Sequence, residues 1–213
     1  MTAIVDYGVG NLFSLEASFR KIGVQTVVTG EPSELAAAEK IVLPGVGAFG
    51  DAADKLRASG LDKAVISEAR RGKPLLGICL GMQLLFEEGL EFGTHRGLGL
   101  LRGSVVPMRG VIPNNLKIPE IGWNNLIIKR ESPLFKYIKN RDFVYFVHSF
   151  YADRCEDSLI AVTEYGAELT LAKKIYSDVS SIPKRAETRD LPYFAVFRNF
   201  KIRGFRICIF FPQ

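Results

Sequence analysis

The sequence predicts an α/β fold, a doubly wound and mostly parallel sheet flanked by helices, with an added antiparallel β portion. In the first half of the chain, short apolar runs alternate with amphipathic helical segments, which is typical of βα units in a parallel sheet. From residue 103 onwards, short β-rich runs separated by turns indicate antiparallel strands on one side of the parallel core. A chain of 213 residues with 47% hydrophobic and 24% charged residues predicts a single globular domain over 1–213.

The parallel part is predicted from four strands and the helices between them. The predicted strands are 2–5, 23–29, 40–43 and 74–79. The predicted helices are 13–21, 33–38, a longer one over 52–71 that is broken near Gly60, and 82–88. The antiparallel strands are expected at 104–107, 117–121, 126–129, 143–151 and 159–165.

Glycine-rich turns follow three of the parallel strands, at 8–10, 45–50 and 77–81. In a parallel sheet the site lies beyond the carboxyl ends of the strands, so these turns should converge on one cleft. The first turn reads Gly-Val-Gly but lacks the third glycine of a dinucleotide fingerprint, which argues against a nucleotide site.

A cysteine, Cys79, stands at the apex of the third turn, between Gly77 and Gly81. An ordinary core strand gains nothing from two glycines, whereas a strained strand–turn–helix elbow needs them. The positive end of the following helix is expected to stabilise the thiolate, and the amide of Leu80 to donate to an oxyanion. The alternative is a buried structural cysteine, which is what most unpaired cysteines are.

Composition excludes several classes of function. Residues 1–166 hold 19 basic and 19 acidic residues, so the net charge of +5 comes wholly from 167–213 and does not indicate nucleic-acid binding. No apolar run is long enough for a membrane span, and the N-terminus lacks a signal-peptide pattern. Three scattered cysteines provide neither a disulfide framework nor metal-ligand spacing. We therefore expect a cytoplasmic protein with no metal, no cofactor and no membrane contact.

With these turns in place, the chain resembles the class I (triad) glutamine amidotransferases. The family-wide segment is Gly-Ile-Cys-Leu-Gly-Met-Gln at 77–83. Four further segments resemble the glutaminase subunits of imidazole glycerol phosphate synthases, namely Asp-Tyr-Gly-Val-Gly-Asn-Leu at 6–12, Pro-Gly-Val-Gly-Ala-Phe at 44–49, Ile-Gly-Trp-Asn at 121–124 and Tyr-Phe-Val-His-Ser-Phe at 145–150. The resemblance covers 1–166 and stops there.

The resemblance implies a role for each matching residue. Cys79 would attack the side-chain carbonyl of L-glutamine, giving a γ-glutamyl thioester and ammonia. The positions that match the oxyanion hole and the substrate contacts are Val46, Gly47, Leu80, Gln83, His148, Ser149 and Phe150.

The family's partner is a (β/α)8-barrel cyclase, which forms a heterodimer with the glutaminase and receives the ammonia. The positions that match its interface are Asn11, Trp123 and Asn124. Core packing is the alternative for Trp123, and a solvated face is the expectation for Lys117 and Glu120.

The resemblance fails at the triad's histidine and glutamate, which the family carries in a Phe-His-Pro-Glu-Lys-Ser segment near the C-terminus. The chain has only His95 and His148. His148 belongs to the 145–150 segment, where a structural and substrate-lining role is expected, and His95 is expected in a solvent-exposed loop. From 169 to 213 we find no sustained helical or strand period, so local signals conflict there.

A reading-frame slip accounts for the missing groups and for the tail. Residues 179–186 can be encoded by GTC AGT TCC ATC CCG AAA AGA GCG, and regrouping from the last letter of the valine codon spells Gln-Phe-His-Pro-Glu-Lys-Ser. Continued through 187–197, the regrouping can give Gly-Asp-Glu-Gly-Leu-Thr-Leu-Phe-Arg-Ser-Phe, followed by a possible stop. We interpret 167–213 as an aberrant tail caused by a slip near 169–174, which sequencing codons 165–200 tests.

Two other functions stay open at this point. The chain could be a catalytically dead pseudo-glutaminase that only binds and regulates a partner. It could also be a Cys-dependent hydrolase or transferase of the same architecture that uses His95 or His148 as its base. Glutaminase assays on Cys79→Ala and His148→Ala variants separate these possibilities.

Overall fold

The computed structural model describes residues 1–175 and 193–194. The helices are α1 Leu12–Lys21, α2 Pro32–Ala37, α3 Phe49–Ala58, α4 Leu61–Arg70 and α5 Leu80–Gln83. The strands of the first half are β1 Thr2–Val5, β2 Thr26–Thr29, β3 Lys40–Leu43, β4 Leu75–Gly77, β5 Phe86–Gly89, β6 His95–Arg96 and β7 Leu101–Pro107. Those that follow are β8 Glu120–Asn125, β9 Ile127–Ile128, β10 Phe143–His148, β11 Phe150–Asp153, β12 Leu159–Glu164, β13 Glu168–Ile175 and β14 Tyr193–Phe194.

The first four strands form the predicted parallel sheet, in the order β2-β1-β3-β4. Ile4 pairs with Val28 on one side and with Val42 on the other, so β1 is a central strand. All four residues of β1 are buried, as expected for a parallel strand that is covered on both faces. The predicted α/β architecture is therefore confirmed.

The long helix predicted over 52–71 is two helices, α3 and α4, and the break lies at the predicted glycine. Gly60 has a φ of 72°, a left-handed conformation that is costly for other residues. The first turn of α3 receives help from a distant side chain, because the Phe49 amide donates to Oε2 of Glu91 at 2.7 Å. That bond joins α3 to the loop between β5 and β6.

The helix predicted over 82–88 was wrong. Helix α5 ends at Gln83, and β5 begins three residues later and pairs in parallel with β7. Phe86 is fully buried, and Gly89 lies against the ring of Phe49, where an added Cβ would stand 2.5 Å from the ring. Short apolar runs suit a helix and a buried strand equally well, and here tertiary packing selects the strand.

The β-rich second half was expected beside the parallel core but forms sheets of its own. The larger sheet runs β6-β5-β7-β11-β13-β12-β9, and its pairs are antiparallel except β5 with β7. Strands β8 and β10 form a separate two-stranded antiparallel ribbon, with Glu120 opposite His148 and Asn125 opposite Phe143. The main hydrophobic core contains Val105 and Ala152 of the larger sheet together with the residues of the parallel sheet, so it joins the two.

No strand period was expected from 169 onwards, but the structure contains a strand there. Strand β13 pairs with β12 from Glu164 opposite Glu168 to Leu159 opposite Lys173, and Leu169 is fully buried. Residues 168–175 therefore continue the fold. The rest of the tail that was interpreted as aberrant lies outside the described residues, apart from 193–194. Within the described part of the chain, no helix has the length and apolarity needed to cross a membrane.

Candidate active site

The elbow at Cys79 has the strained geometry that its glycines predict. Cys79 caps the N-terminus of α5 with φ 59° and ψ −125°, a backbone conformation that is costly for a residue with a side chain. A Cβ on Gly77 would stand 2.5 Å from the Cα of Met82, and one on Gly81 would stand 1.9 Å from the carbonyl oxygen of Leu43. Both glycines are therefore required by close backbone approach.

The three glycine-rich turns converge at this elbow, as predicted. A Cβ on Gly45 would stand 2.5 Å from the amide nitrogen of Gly81, so the second turn lies directly against the third. A Cβ on Gly10 would lie 3.2 Å from Cβ of Pro44, and the Tyr7 hydroxyl donates to the Pro44 carbonyl at 2.7 Å. The strand ends thus form one site around Cys79.

The expectation of a stabilised thiolate was wrong for this conformation. Cys79 is only 7% exposed, and its burial raises the pKa of the thiol from 9.0 to about 12. The amide of Leu80 donates a hydrogen bond to the sulfur and lowers the pKa, but this effect is smaller than that of burial. Helix α5 has only four residues, too few to supply much of a dipole.

The buried phenol of Tyr7 is a further ionisable group near the sulfur. Burial raises its pKa first, and the nearby Cys79 raises it further. Neither group therefore ionises easily beside the other. Sequence reasoning gave Tyr7 no role, although it lies in the first glycine-rich turn.

The predicted oxyanion and substrate residues near the elbow are brought together. Val46 is half-buried, while Gly47 is exposed with a φ of 89° and has open space around its missing Cβ. Leu80 and Gln83 are buried in α5, and the amide of Gln83 donates to the carbonyl of Cys79 at 3.3 Å. A glycine at 47 is thus needed for its backbone conformation and not for space.

The segment 148–150 lies at the junction of β10 and β11. His148 is 2% exposed, whereas Ser149 and Phe150 are half-buried. The Ser149 carbonyl accepts a hydrogen bond from the amide of Met108 at 2.9 Å. The Phe150 side chain packs against the main hydrophobic core, the cluster that also contains Cys79.

Glu120 was expected on a solvated face, and this was wrong. It is 3% exposed, and its Oε2 lies 2.9 Å from Nε2 of His148. Nδ1 of the same imidazole lies 2.9 Å from the carbonyl oxygen of Phe150. The only sequence signal was the alternation of β8, which puts Glu120 on the same face as Gly122 and Asn124. Lys117 is exposed, as expected.

His95 was expected in an exposed loop, but it is half-buried in strand β6. Its ring lies against Gly50 of α3, where an added Cβ would stand 2.6 Å from the imidazole. The short pairing of β5 with β6 holds it there. No local pattern in a loop rich in glycine predicts such packing.

The three positions expected at a partner interface differ in orientation. Asn11 is exposed and caps α1, its Oδ1 accepting from the amide of Ser14 at 3.1 Å. Trp123 is 40% exposed, which excludes simple core packing, and its ring meets Tyr145 edge-on with centroids 5.4 Å apart. The amide of Asn124 instead points inward and donates to Oε1 of Glu120 at 2.9 Å.

The ribbon of β8 and β10 has two chemically different faces. Phe146, Glu120 and His148 lie on the inner face and are buried. Ile121, Trp123 and Phe143 lie on the other face, which we call the outer ribbon face, and are 57%, 40% and 62% exposed. Tyr145 and Val147 complete it. An exposed apolar face of this kind is typical of a protein interface.

Comparisons with known proteins agree with this geometry. A sequence profile of the family described as "Glutamine amidotransferase class-I" matches residues 3–178. The chain is 44% identical over 209 residues to "Imidazole glycerol phosphate synthase subunit HisH" of Sulfurimonas denitrificans, covering 94% of this chain and 100% of that protein. Subunits of the same name from Wolinella succinogenes and Bacillus velezensis are 46% and 48% identical. Those two matches cover 78% and 79% of this chain, and 82% and 81% of the relatives.

Solved structures resemble the fold at low sequence identity. A glutamine amidotransferase structure superposes with a TM-score of 0.61 and 17% identity, covering 80% of this chain and 82% of that one. A glutamine amidotransferase from Thermotoga maritima gives a TM-score of 0.52, also at 17% identity, covering 80% of this chain and 69% of that one. These similarities concern the fold alone.

Proposed function

Because the chain belongs to the glutamine amidotransferase class-I family, we propose that it derives from a glutaminase subunit of imidazole glycerol phosphate synthase, in histidine biosynthesis. The elbow at Cys79, with the turns at 8–10 and 45–50 packed against it, is the observation that carries this proposal. The related subunits from three bacteria, at 44–48% identity, support it. The expected location is the cytoplasm, with glutamine as substrate and no metal or cofactor.

The reaction uses the sulfur of Cys79 as the nucleophile. Sγ bonds to the side-chain carbonyl carbon of glutamine, and the carbonyl oxygen becomes an oxyanion. The oxyanion then re-forms the carbonyl as the C–N bond breaks, and the proton from the thiol passes to the leaving nitrogen, which departs as ammonia. Water then hydrolyses the γ-glutamyl thioester to glutamate and regenerates the thiol. The amide of Leu80 and the backbone at Val46–Gly47 are the oxyanion donors in this scheme, and Gln83 with 148–150 contacts the substrate.

A thiol with a pKa of about 12 needs a base or a conformational change before it can attack. The Leu80 amide that would serve the oxyanion donates to the sulfur in the present conformation. The site therefore represents a resting state. In the printed sequence the family's His and Glu are absent, and general acid–base groups typically contribute roughly 10²–10⁴-fold to rate. We therefore expect the printed chain to be severely impaired.

The reading-frame hypothesis supplies the missing groups. In the regrouped frame, the segment Gln-Phe-His-Pro-Glu-Lys-Ser returns at 180–186, beyond the end of β13. The family profile reaches 178 and β13 extends to 175, so the family match and the strand both continue past 167.

The ammonia would pass to a (β/α)8-barrel cyclase bound as a heterodimer. The outer ribbon face is the candidate docking surface for this partner, because three large apolar side chains are exposed there together. Asn11 is a second candidate contact, on the exposed start of α1. Asn124 would act behind this surface, through its hydrogen bond to Glu120.

The test compares the printed chain with a restored-frame chain, in which the regrouped residues replace the tail up to the regrouped stop. Glutamate release is measured for both, with and without the cyclase subunit. The restored-frame chain should be faster by roughly 10²-fold or more, and Cys79→Ala should abolish its activity. Activity that survives Cys79→Ala would contradict the proposal.

A pseudo-glutaminase is the second candidate, and the absence of the family's His and Glu from the printed sequence favours it. It predicts that the printed chain binds the cyclase without hydrolysing glutamine. The Cys-dependent hydrolase that uses His148 is disfavoured, because both ring nitrogens of His148 are already hydrogen-bonded in a buried pair. Loss of printed-chain activity in His148→Ala with a retained fold would bring that third possibility back.

A further inference from the structure

The buried pair of Glu120 and His148 takes no part in the thioester chemistry, yet it adjoins the backbone proposed to bind glutamine. We infer that Glu120 is a positioning residue, which holds the imidazole of His148 and through it fixes the backbone at Phe150. The inference rests on the proposed function, since it concerns the glutamine contacts of 148–150.

The geometry gives the imidazole two anchors. Glu120 and His148 stand directly opposite each other on β8 and β10, and each is at most 3% exposed. One ring nitrogen faces the carboxyl group at 2.9 Å, and the other faces the Phe150 carbonyl at 2.9 Å. Phe150 begins the next strand, β11, so the ring bridges the interruption between β10 and β11 at Ser149.

The proton count at this pair is constrained. A carbonyl oxygen only accepts, so Nδ1 must carry a hydrogen that it donates to Phe150. The second contact, from Nε2 to Glu120, then holds one proton, either on an imidazolium ring beside a carboxylate or on the carboxyl group beside a neutral ring. In both states Glu120 enforces the Nδ1–H form of His148.

The carboxyl group is itself fixed by the ribbon. Its Oε1 accepts from Nδ2 of Asn124 at 2.9 Å, and the same amide donates to the carbonyl of Glu164 at 2.9 Å. The amide orientation of Asn124 is set in turn, because its oxygen accepts from the Asn125 amide at 2.7 Å. The hydrogen bonds of Asn124 thus connect Glu120 in the ribbon to strand β12.

Loss of the polar group at position 120 should release the ring. Nε2 loses its carboxyl partner, so the bond from Nδ1–H to the Phe150 oxygen is the only one of the two anchors that remains, and one bond does not fix the orientation of the ring. The ring would then turn away. The Phe150 carbonyl would lose its donor, and the glutamine-binding backbone would lose its fixed position.

Glutamine affinity tests this with two variants, Glu120→Leu and Glu120→Gln, in a Cys79→Ala parent that cannot turn over. Calorimetric titration with L-glutamine is done on the printed chain and on the restored-frame chain. Glu120→Leu should weaken binding by about tenfold or more, the size of effect typical of orienting partners around a site. Glu120→Gln should bind like the parent, because its amide can donate to Nε2 while its oxygen accepts from Asn124.

Imidazole NMR tests the ring directly and needs no ligand. The chain has two histidines, so a ¹⁵N-histidine sample shows two imidazoles, and a His95→Gln variant assigns them. Hydrogen should be found on Nδ1 of His148 in the parent and in Glu120→Gln. In Glu120→Leu the Nδ1 hydrogen should exchange with water faster, because the ring is no longer held against the Phe150 carbonyl. Where the leucine variant does not fold, Glu120→Met replaces it, since its flexible side chain adapts more easily.

The outcomes separate the two proposals. A parent that binds no glutamine in either chain contradicts the proposed function, and the glutamine-positioning role with it. A parent that binds glutamine, with Glu120→Leu equal to it in affinity, overturns the inference alone. An Nδ1 hydrogen of His148 that exchanges equally slowly in the parent and in the leucine variant also overturns it. A loss of stability that is the same in both variants, with unchanged affinity, would mark the pair as merely structural.

Discussion

At the level of single residues, the chemistry of the site depends on how the fold holds Cys79. The strained backbone puts the sulfur at the end of β4, and burial keeps it protonated. The thiol is thus stored in an unreactive form. A resting glutaminase of this kind would avoid hydrolysing glutamine until a partner or a base changes the surroundings of the sulfur.

Alkylation of Cys79 should be slow at neutral pH and should accelerate as the pH rises. Only the thiolate reacts with the reagent. Raising the pKa from 9.0 to about 12 lowers the fraction of Cys79 that is thiolate at pH 8 about a thousandfold. Iodoacetamide labelling, followed by mass spectrometry of the peptide that contains Cys79, measures the rate from pH 7 to 10. The urea-unfolded chain is the control. Equal rates in the folded and unfolded chains would contradict the buried thiol.

Gly81→Ala should destabilise the fold through a backbone clash. The new Cβ would meet the Leu43 carbonyl at 1.9 Å, and no flexible side chain can move to relieve it. We expect a loss of about 3 kcal/mol or more in the free energy of unfolding, measured by urea titration. Gly23→Ala is the control, because its φ of 74° is strained but its surroundings are open, and it should cost only about 1 kcal/mol. Equal losses would rule out the clash.

At the level of elements, a buried ion pair ties α4 to the end of α2. Glu68 on α4 lies 2.8 Å from Nζ of Lys73, and its pKa is lowered, mainly by this hydrogen bond. The same ammonium donates to the carbonyls of Leu35 and Ala36 at 2.6 and 2.7 Å. Lys73 thus satisfies two carbonyls at the C-terminus of α2 that the helix leaves unbonded.

Lys73→Met should cost about 2 kcal/mol of stability at pH 7, because Glu68 keeps only its bond from the exposed Arg71 and two carbonyls lose their donor. The ionised form of Glu68 is favoured in the folded chain, so its contribution is complete above the ordinary pKa of 4.5 and is lost as the pH falls through the lowered value. Urea titrations from pH 3 to 7 should therefore show a weaker acid dependence in the variant. The exposed Lys63 on α4, changed to Met, is the control. A similar loss in both variants would remove the special role of Lys73.

The elements also show what local sequence patterns could and could not predict. Strands β1 and β3 and the break at Gly60 were predicted correctly. A short apolar run and a glycine each determine the local backbone structure without help from distant residues. Strand β5 was missed because only its pairing with β7 distinguishes it from a helix. Likewise, the elbow was predicted from spacing alone, whereas the pairing of Glu120 with His148 depends on the register of two strands 28 residues apart.

At the level of the whole molecule, the outer ribbon face stands apart from the buried core. Trp123→Ala should weaken cyclase binding by about 2 kcal/mol, roughly thirtyfold in Kd, if the ring fills a pocket on the partner. Phe143→Ala should act in the same direction. Surface plasmon resonance with immobilised cyclase measures both.

Phe92→Ala is the matched control for this interface. Phe92 is an aromatic residue that is 92% exposed, and it belongs to the loop between β5 and β6 and not to the ribbon. Its loss should leave cyclase binding unchanged. If Phe92→Ala weakens binding as much as Trp123→Ala does, the ribbon is not the docking surface.

The contact of Gly45 with Gly81 has a consequence for how the site can vary. Backbone touches backbone there, so the distance between the turn at 45–50 and the elbow that carries Cys79 is set without any side chain. Side chains beside the two glycines, such as that of Val46, can therefore vary while this backbone distance stays constant. A redesign of the site should therefore keep both glycines and change only the residues beside them.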